Sequence, residues 1–119
     1  MQQALWRESQ GLPIGPHPKR LRAGDPPKFL GSRLPLDVAK ATGANFLSDA
    51  ARQAVRRRLD NPQPRQTLDL DRLYCNLLSS MPMCFNLFAE LQSDLKLADR
   101  AVHTWWPDMP GTVTDILFE

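Results

Sequence analysis

Cysteine and histidine are scarce in this sequence, at two residues each. Cys75 and Cys84 have no histidine or third cysteine near them in the chain, which excludes a zinc-type ligand set of ordinary spacing. Both sit among apolar neighbours and read as reduced packing residues. Long apolar runs are missing too. No stretch approaches the roughly 18 consecutive apolar residues of a membrane span, and the first twenty residues have no signal-peptide block, so the expected compartment is the cytoplasm. There is no glycine-rich phosphate loop and no Ser or Cys placed as a nucleophile. His17 lies in a proline-rich stretch and His103 close to Trp105-Trp106, where a packed or surface role is the plain reading.

The 119 residues suit one ordinary domain. An apolar fraction of 42%, a charged fraction of 24% and a net charge of +2 describe a foldable chain. The charge is uneven. Residues 1–67 hold twelve Lys/Arg against five Asp/Glu, whereas residues 68–119 hold three against eight.

Residues 3–10 suit a short helical turn anchored by Leu5 and Trp6. From Gly11 to Pro35 come six of the eleven prolines, interleaved with Lys19, Arg20, Arg22, Lys28 and Arg33. Proline lacks the amide that a helix interior or central strand requires, so this stretch reads as an extended basic arm, either a solvated linker or a phosphate-contacting segment. The expected division is a basic arm with a short helix over 1–42 and a helical part over 43–119.

Asn45 and Ser48 stand at N-cap positions before a helix that Asn61-Pro62 ends. Ala51, Ala54, Val55 and Leu59 form its apolar stripe, and Arg52, Arg56, Arg57 and Arg58 occupy the other faces. Neighbours on a helix point about 100° apart, so only part of that cluster can meet one partner. A second helix is indicated by Leu70, Leu73, Tyr74, Leu77 and Leu78 at helical spacing. Ser79-Ser80-Met81-Pro82 breaks it, because proline disfavours helical geometry in the residue before it. Asn76, Ser79, Ser80 and Asn86 then satisfy backbone groups at the helix-to-helix corner. The next helix carries Phe85, Phe88, Leu91 and Leu95 on one side and runs on, or restarts, through Trp105-Trp106, which serve as core anchors in preference to base-stacking platforms. The last segment, "TVTDILFE", reads as a strand with no partner strand elsewhere in the chain.

The runs "NLLSSMPMCFNLFAEL", "ALWRESQGLPIG", "GANFLSDAARQAV" and "ILFE" together resemble the N-terminal portion of a bacterial branch of the PD-(D/E)XK nuclease superfamily, with Met81 where that branch tends to carry glutamine. The resemblance implies a restriction-endonuclease-like α/β fold. In this chain that means a mainly α portion with one C-terminal β-strand. It also implies Mg²⁺-dependent hydrolysis of nucleic-acid phosphodiester bonds, with DNA the expected substrate, by an aspartate on one strand and a Glu-x-Lys on the next. No Glu-x-Lys occurs here. Glu119, as a metal ligand, and Glu90, as a supporting acid, are the candidates by position. The nucleic-acid contacts would fall to Lys19, Arg20, Arg22, Arg56 and Arg57. On this reading the chain is the front of a truncated enzyme that lacks its C-terminal half or a partner strand. The alternative is a stand-alone helical module for protein interaction or DNA binding.

Overall fold

A computed structural model describes residues 1–19 and 22–118. The contacts divide the chain into two compact units, one of residues 1–45 and 68–82, the other of residues 46–67 and 83–119.

The first unit opens with α1 (Gln2–Ser9). Its anchor is not the apolar pair expected from the sequence: Leu5 is 59% exposed, while Arg7 is 6% exposed. Arg7 Nε donates to the Gly31 carbonyl at 2.9 Å and one terminal nitrogen donates to the Leu12 carbonyl at 2.6 Å. A guanidinium with its donors engaged can be buried where a bare charge cannot.

The proline-rich stretch is likewise more built than an extended arm. β1 (Gly15–Pro16) and β2 (Phe29–Leu30) pair antiparallel, with Gly15 opposite Leu30 and Pro16 opposite Phe29. Proline is tolerated because the pairing is only two residues long. Arg33 turns inward and donates to the Pro16 carbonyl at 3.0 Å and to the Asp71 carboxylate. Leu34 is fully buried and forms a core cluster with Ala39 and Cys75.

α2 (Leu36–Thr42) follows and ends at Gly43, whose φ of 59° is the left-handed cap geometry that glycine adopts without Cβ strain. Asn45 is not a cap. It is buried, and its side-chain amide donates to the carbonyls of Leu73 and Asn76 at 2.9 and 3.2 Å.

The helix expected over the leucine-rich run is short. α4 (Leu70–Tyr74) is capped by Asp69, and the chain then leaves helical geometry. The reason is tertiary. The Leu34 amide donates to the Cys75 carbonyl at 2.9 Å and the Leu77 amide to the Ser32 carbonyl at 3.0 Å, while Arg33 and Asn76 form an isolated bridge. The bond to Ser32 replaces the helical one that the Leu77 amide would have made, and the Leu78 amide turns to Asn76 Oδ1.

Burial pushes the Cys75 thiol up to about 11, with the Asp71 carboxylate adding to the shift. The thiolate is the reactive form. A thiol-disulfide reagent at mildly alkaline pH is therefore expected to label exposed Cys84 rapidly and Cys75 only on unfolding. Two equally fast thiols would contradict this packing.

The second unit holds α3 (Asp49–Asp60), whose cap Ser48 accepts from the Ala51 amide at 3.1 Å. Ala51, Ala54 and Val55 are buried along the expected stripe. α5 (Ser80–Ser93) begins in the first unit and continues through the second. α6 (Leu95–Trp105) is a separate helix, capped by Asp94, whose Oδ1 accepts from the Lys96 and Leu97 amides. Phe46, Phe85, Ala89 and Ala98 complete the core. On α5, Met83, Leu87 and Phe88 stay exposed.

The C-terminal segment is not the strand that its β-branched residues predict. Among the described residues the one sheet is β1–β2. Residues 112–118 satisfy backbone groups through side chains instead. The Val113 amide donates to Asp99 Oδ1 at 3.0 Å, the Ile116 carbonyl accepts from Gln92 at 2.7 Å, and the Phe118 carbonyl accepts from Arg58 at 3.1 Å. The Phe118 ring stacks on Phe85 with centroids 4.5 Å apart. Such pairs contribute about 0.5–1.5 kcal/mol beyond burial.

Candidate nucleic-acid interface

The acids come first, because a metal-dependent nuclease needs them converged. Among the described residues no group of three or more His, Cys, Asp or Glu side chains could hold a metal ion. Glu90 is exposed on α5. Glu119 and Arg20 lie outside the described residues.

The motif of the resembled superfamily also admits aspartate before x-Lys, and that form is present here as Asp94-Leu95-Lys96. It opens a helix rather than lying on a strand, Asp94 Oδ1 already accepts two backbone amides, and the Pro-Asp pair, Pro107-Asp108, follows it instead of preceding it. Its residues fit a helix cap. The described donor set does not fit a Mg²⁺ site, which calls for several converging oxygen ligands.

The cations divide into internal and external ones. Arg7 and Arg33 are buried. Lys19 and Arg22 are exposed in the first unit; the backbone amide of Arg22 donates to Asp25 at 2.9 Å, which shapes the turn and leaves the guanidinium outside.

The α3 arginines differ sharply. Arg52 pairs with Asp49 at 2.9 Å and donates to the Phe46 carbonyl. Arg58 is tied to the carbonyls of Phe118 and Asn61 and to the Gln66 side chain. Arg57 is exposed and donates once, to Gln92 at 3.1 Å. The Arg56 side chain is exposed and makes no hydrogen bond or ion pair among the described residues. Of the four, Arg56 and Arg57 thus keep the most donors for an outside anion.

The polar residues of the Ser-Ser-Met-Pro corner act on backbone. Asn76 Oδ1 accepts from the Leu78 amide at 3.0 Å, and the buried Ser79 hydroxyl accepts from the Met81 amide at 3.2 Å. Ser80 is the exposed first residue of α5. Asn86 acts away from the corner, accepting from the Leu47 amide at 2.8 Å ahead of α3.

Two features of the second unit escape a reading by charge. A cavity of about 310 Å³ is walled by Arg57, Arg58, Asn61, Gln63, Gln66 and Gln92. Amides carry no formal charge and so leave no trace in a net-charge count. Trp105 and Trp106, expected as core anchors, are 54% and 56% exposed, edge to face at 5.9 Å. Both stand at the end of α6, which stops before Pro107. Their exposed faces are of the kind on which bases stack.

Close by, the His103 Nδ1 donates to the Asp99 carbonyl at 2.8 Å and lies 3.6 Å from the Asp99 carboxylate. The carbonyl bond raises the ring's pKa above its usual 6.5; partial desolvation opposes this and the Asp99 charge assists it. The folded state therefore favours the protonated ring. That stabilisation is complete below 6.5 and disappears as pH rises through the folded value. His103→Gln is expected to flatten the fall in unfolding midpoint as pH rises above 6.5. An unchanged pH profile would show that His103 is not the group responsible.

No curated protein and no solved structure matches the chain. No helix among the described residues is long and apolar enough to cross a membrane. Against the known families, the match is to the PD-(D/E)XK nuclease superfamily over residues 1–119, the entire sequence. A match of that extent decides kinship even where the metal-binding acids are not assembled, and the chain belongs to the PD-(D/E)XK nuclease superfamily.

Proposed function

We propose that this chain provides nucleic-acid contacts to a Mg²⁺-dependent nuclease that hydrolyses phosphodiester bonds, with the metal-holding carboxylates supplied from outside the described residues. The observation that carries this reading is the combination of superfamily membership over the whole chain with outward-facing cations and no converged acids. Lys19, Arg22, Arg56 and Arg57 are the contact residues in this reading, and DNA is the expected substrate. When bound, Mg²⁺ would lower the pKa of a water and offset charge on the phosphate. In this reading the described residues hold the strand, and the groups that perform that step lie outside them.

The test is a salt titration of DNA binding by the purified chain. Each neutralised phosphate contributes about −0.9 to the slope of log K against log salt on duplex DNA and about −0.7 on single strands. Arg22→Gln is expected to weaken binding and to make the slope shallower by roughly one such step. Binding that is absent, or indifferent to salt, would refute the proposal.

A further inference from the structure

The cavity between α3 and the C-terminal segment holds the wrong groups for a metal and the right ones for a nucleotide. Its lining has two guanidinium groups, four amide side chains and no carboxylate among the described residues. The apolar part is Ala54, Leu117 and Phe118, and the Phe118 ring is held in place by its stack on Phe85.

A census of donors separates the fixed groups from the available ones. Arg58 donates to three partners, and Gln92 is held at both ends, accepting from Arg57 and donating to the Ile116 carbonyl. These two residues brace the wall. Arg57 has given one donor, from a guanidinium that carries five. The Gln63 side chain makes no hydrogen bond among the described residues, Gln66 has accepted through Oε1 and keeps its NH₂, and Asn61 has donated to the Arg57 carbonyl and keeps Oδ1.

The available set is thus one cation beside a donor, an acceptor and an amide that offers both, over an apolar floor. Nucleotides match it: a phosphate for the cation, and a flat base whose edge alternates donors and acceptors. At about 310 Å³ the space is at the lower end of the range of ligand pockets, the scale of one small ligand. A base within a duplex has its pairing edge already engaged, so only an unpaired base can offer that edge to the amides.

We infer that this cavity takes a single unpaired nucleotide, with its phosphate on Arg57 and its base edge on Gln63, Gln66 and Asn61, so that the chain prefers single-stranded to duplex nucleic acid. The inference rests on the nucleic-acid reading above and adds to it a strand state and a location.

Fluorescence anisotropy of the whole chain with labelled single-stranded and duplex oligonucleotides of equal length and salt tests it. The wild-type chain should bind the single strand more tightly. Arg57→Gln should weaken single-strand binding about tenfold, the order expected for losing one charge-assisted hydrogen bond, and remove the preference. Gln63→Ala should reduce the preference, whereas Arg56→Gln, outside the cavity, should weaken both ligands alike. Equal losses for Arg56→Gln and Arg57→Gln on both ligands would overturn the cavity and leave nucleic-acid binding intact. If neither oligonucleotide binds, a nucleoside monophosphate is followed by the side-chain amide signals of Gln63 and Gln66. Shifts there would uphold the cavity and remove the nucleic-acid reading, and no shifts would overturn both.

Discussion

Replacing Gly15 by alanine should cost the first unit about 3 kcal/mol or more, a large share of the roughly 5–15 kcal/mol that separates folded from unfolded states. A Cβ built on Gly15 would lie 2.8 Å from the Leu34 nitrogen and closer still to its carbonyl group. These are backbone atoms that cannot rotate aside. The Leu34 amide is bonded to the Cys75 carbonyl and the Gly15 amide to the Arg33 carbonyl at 2.7 Å, so any retreat breaks hydrogen bonds contributing about 1 kcal/mol each. Leu34 is also fully buried, and its displacement disturbs the core cluster with Ala39 and Cys75.

Gly24→Ala is the matched control. Gly24 has a φ of 89° and open space around it, so alanine there meets backbone strain of about 1 kcal/mol but no collision. Chemical denaturation of both variants should place Gly15→Ala well below Gly24→Ala. Comparable midpoints would mean that β1 does not pass against Leu34.

Adding Mg²⁺ to the purified chain should produce no cleavage of single-stranded or duplex DNA above the uncatalysed background. Mg²⁺ binds near-octahedrally through hard oxygens, and enzymes hold it with carboxylates that converge on the substrate phosphate. Here Asp94 caps α6, and no metal-holding group forms among the described residues. Asp94→Asn should therefore change helix stability slightly and leave the null cleavage result as it was, since asparagine is also a good cap. Mg²⁺-dependent cleavage that Asp94→Asn abolishes would make Asp94-x-Lys96 a metal site and overturn the division of roles proposed above.

Local signals in the sequence located α3 well. Ser48 caps it, Asn61-Pro62 ends it, and Ala51, Ala54 and Val55 are buried as their spacing requires. The failures have a common cause in distant partners. Nothing near Arg7 or Arg33 in the chain announces that their guanidinium groups face inward, because the carbonyls of Gly31 and Pro16 that receive them lie 24 and 17 residues away. A count of positive charge consequently overstates what the first half can present to a phosphate.

Leu77 and Leu78 have helical spacing, yet the backbone at 75–77 answers to residues 32–34. The final segment has strand-forming residues, and strand formation depends on a neighbour to pair with; Gln92 and Arg58 meet its carbonyls instead. For the candidate interface, helix geometry indicates that only part of the α3 arginine cluster can meet one partner, and not that Arg52 and Arg58 are the tied members. The amide-lined cavity was not, because Gln63, Gln66 and Gln92 converge only through the fold.

The partition of the chain carries a practical consequence for dissection. Polypeptide passes from one unit to the other after Asn45, returns after Thr67 and leaves again after Pro82. No single scission releases either half intact: a protease nick between residues 61 and 67 would leave both bodies held together by the remaining strands of the weave, and any attempt to express one body alone must stitch two separated stretches of sequence into a new order.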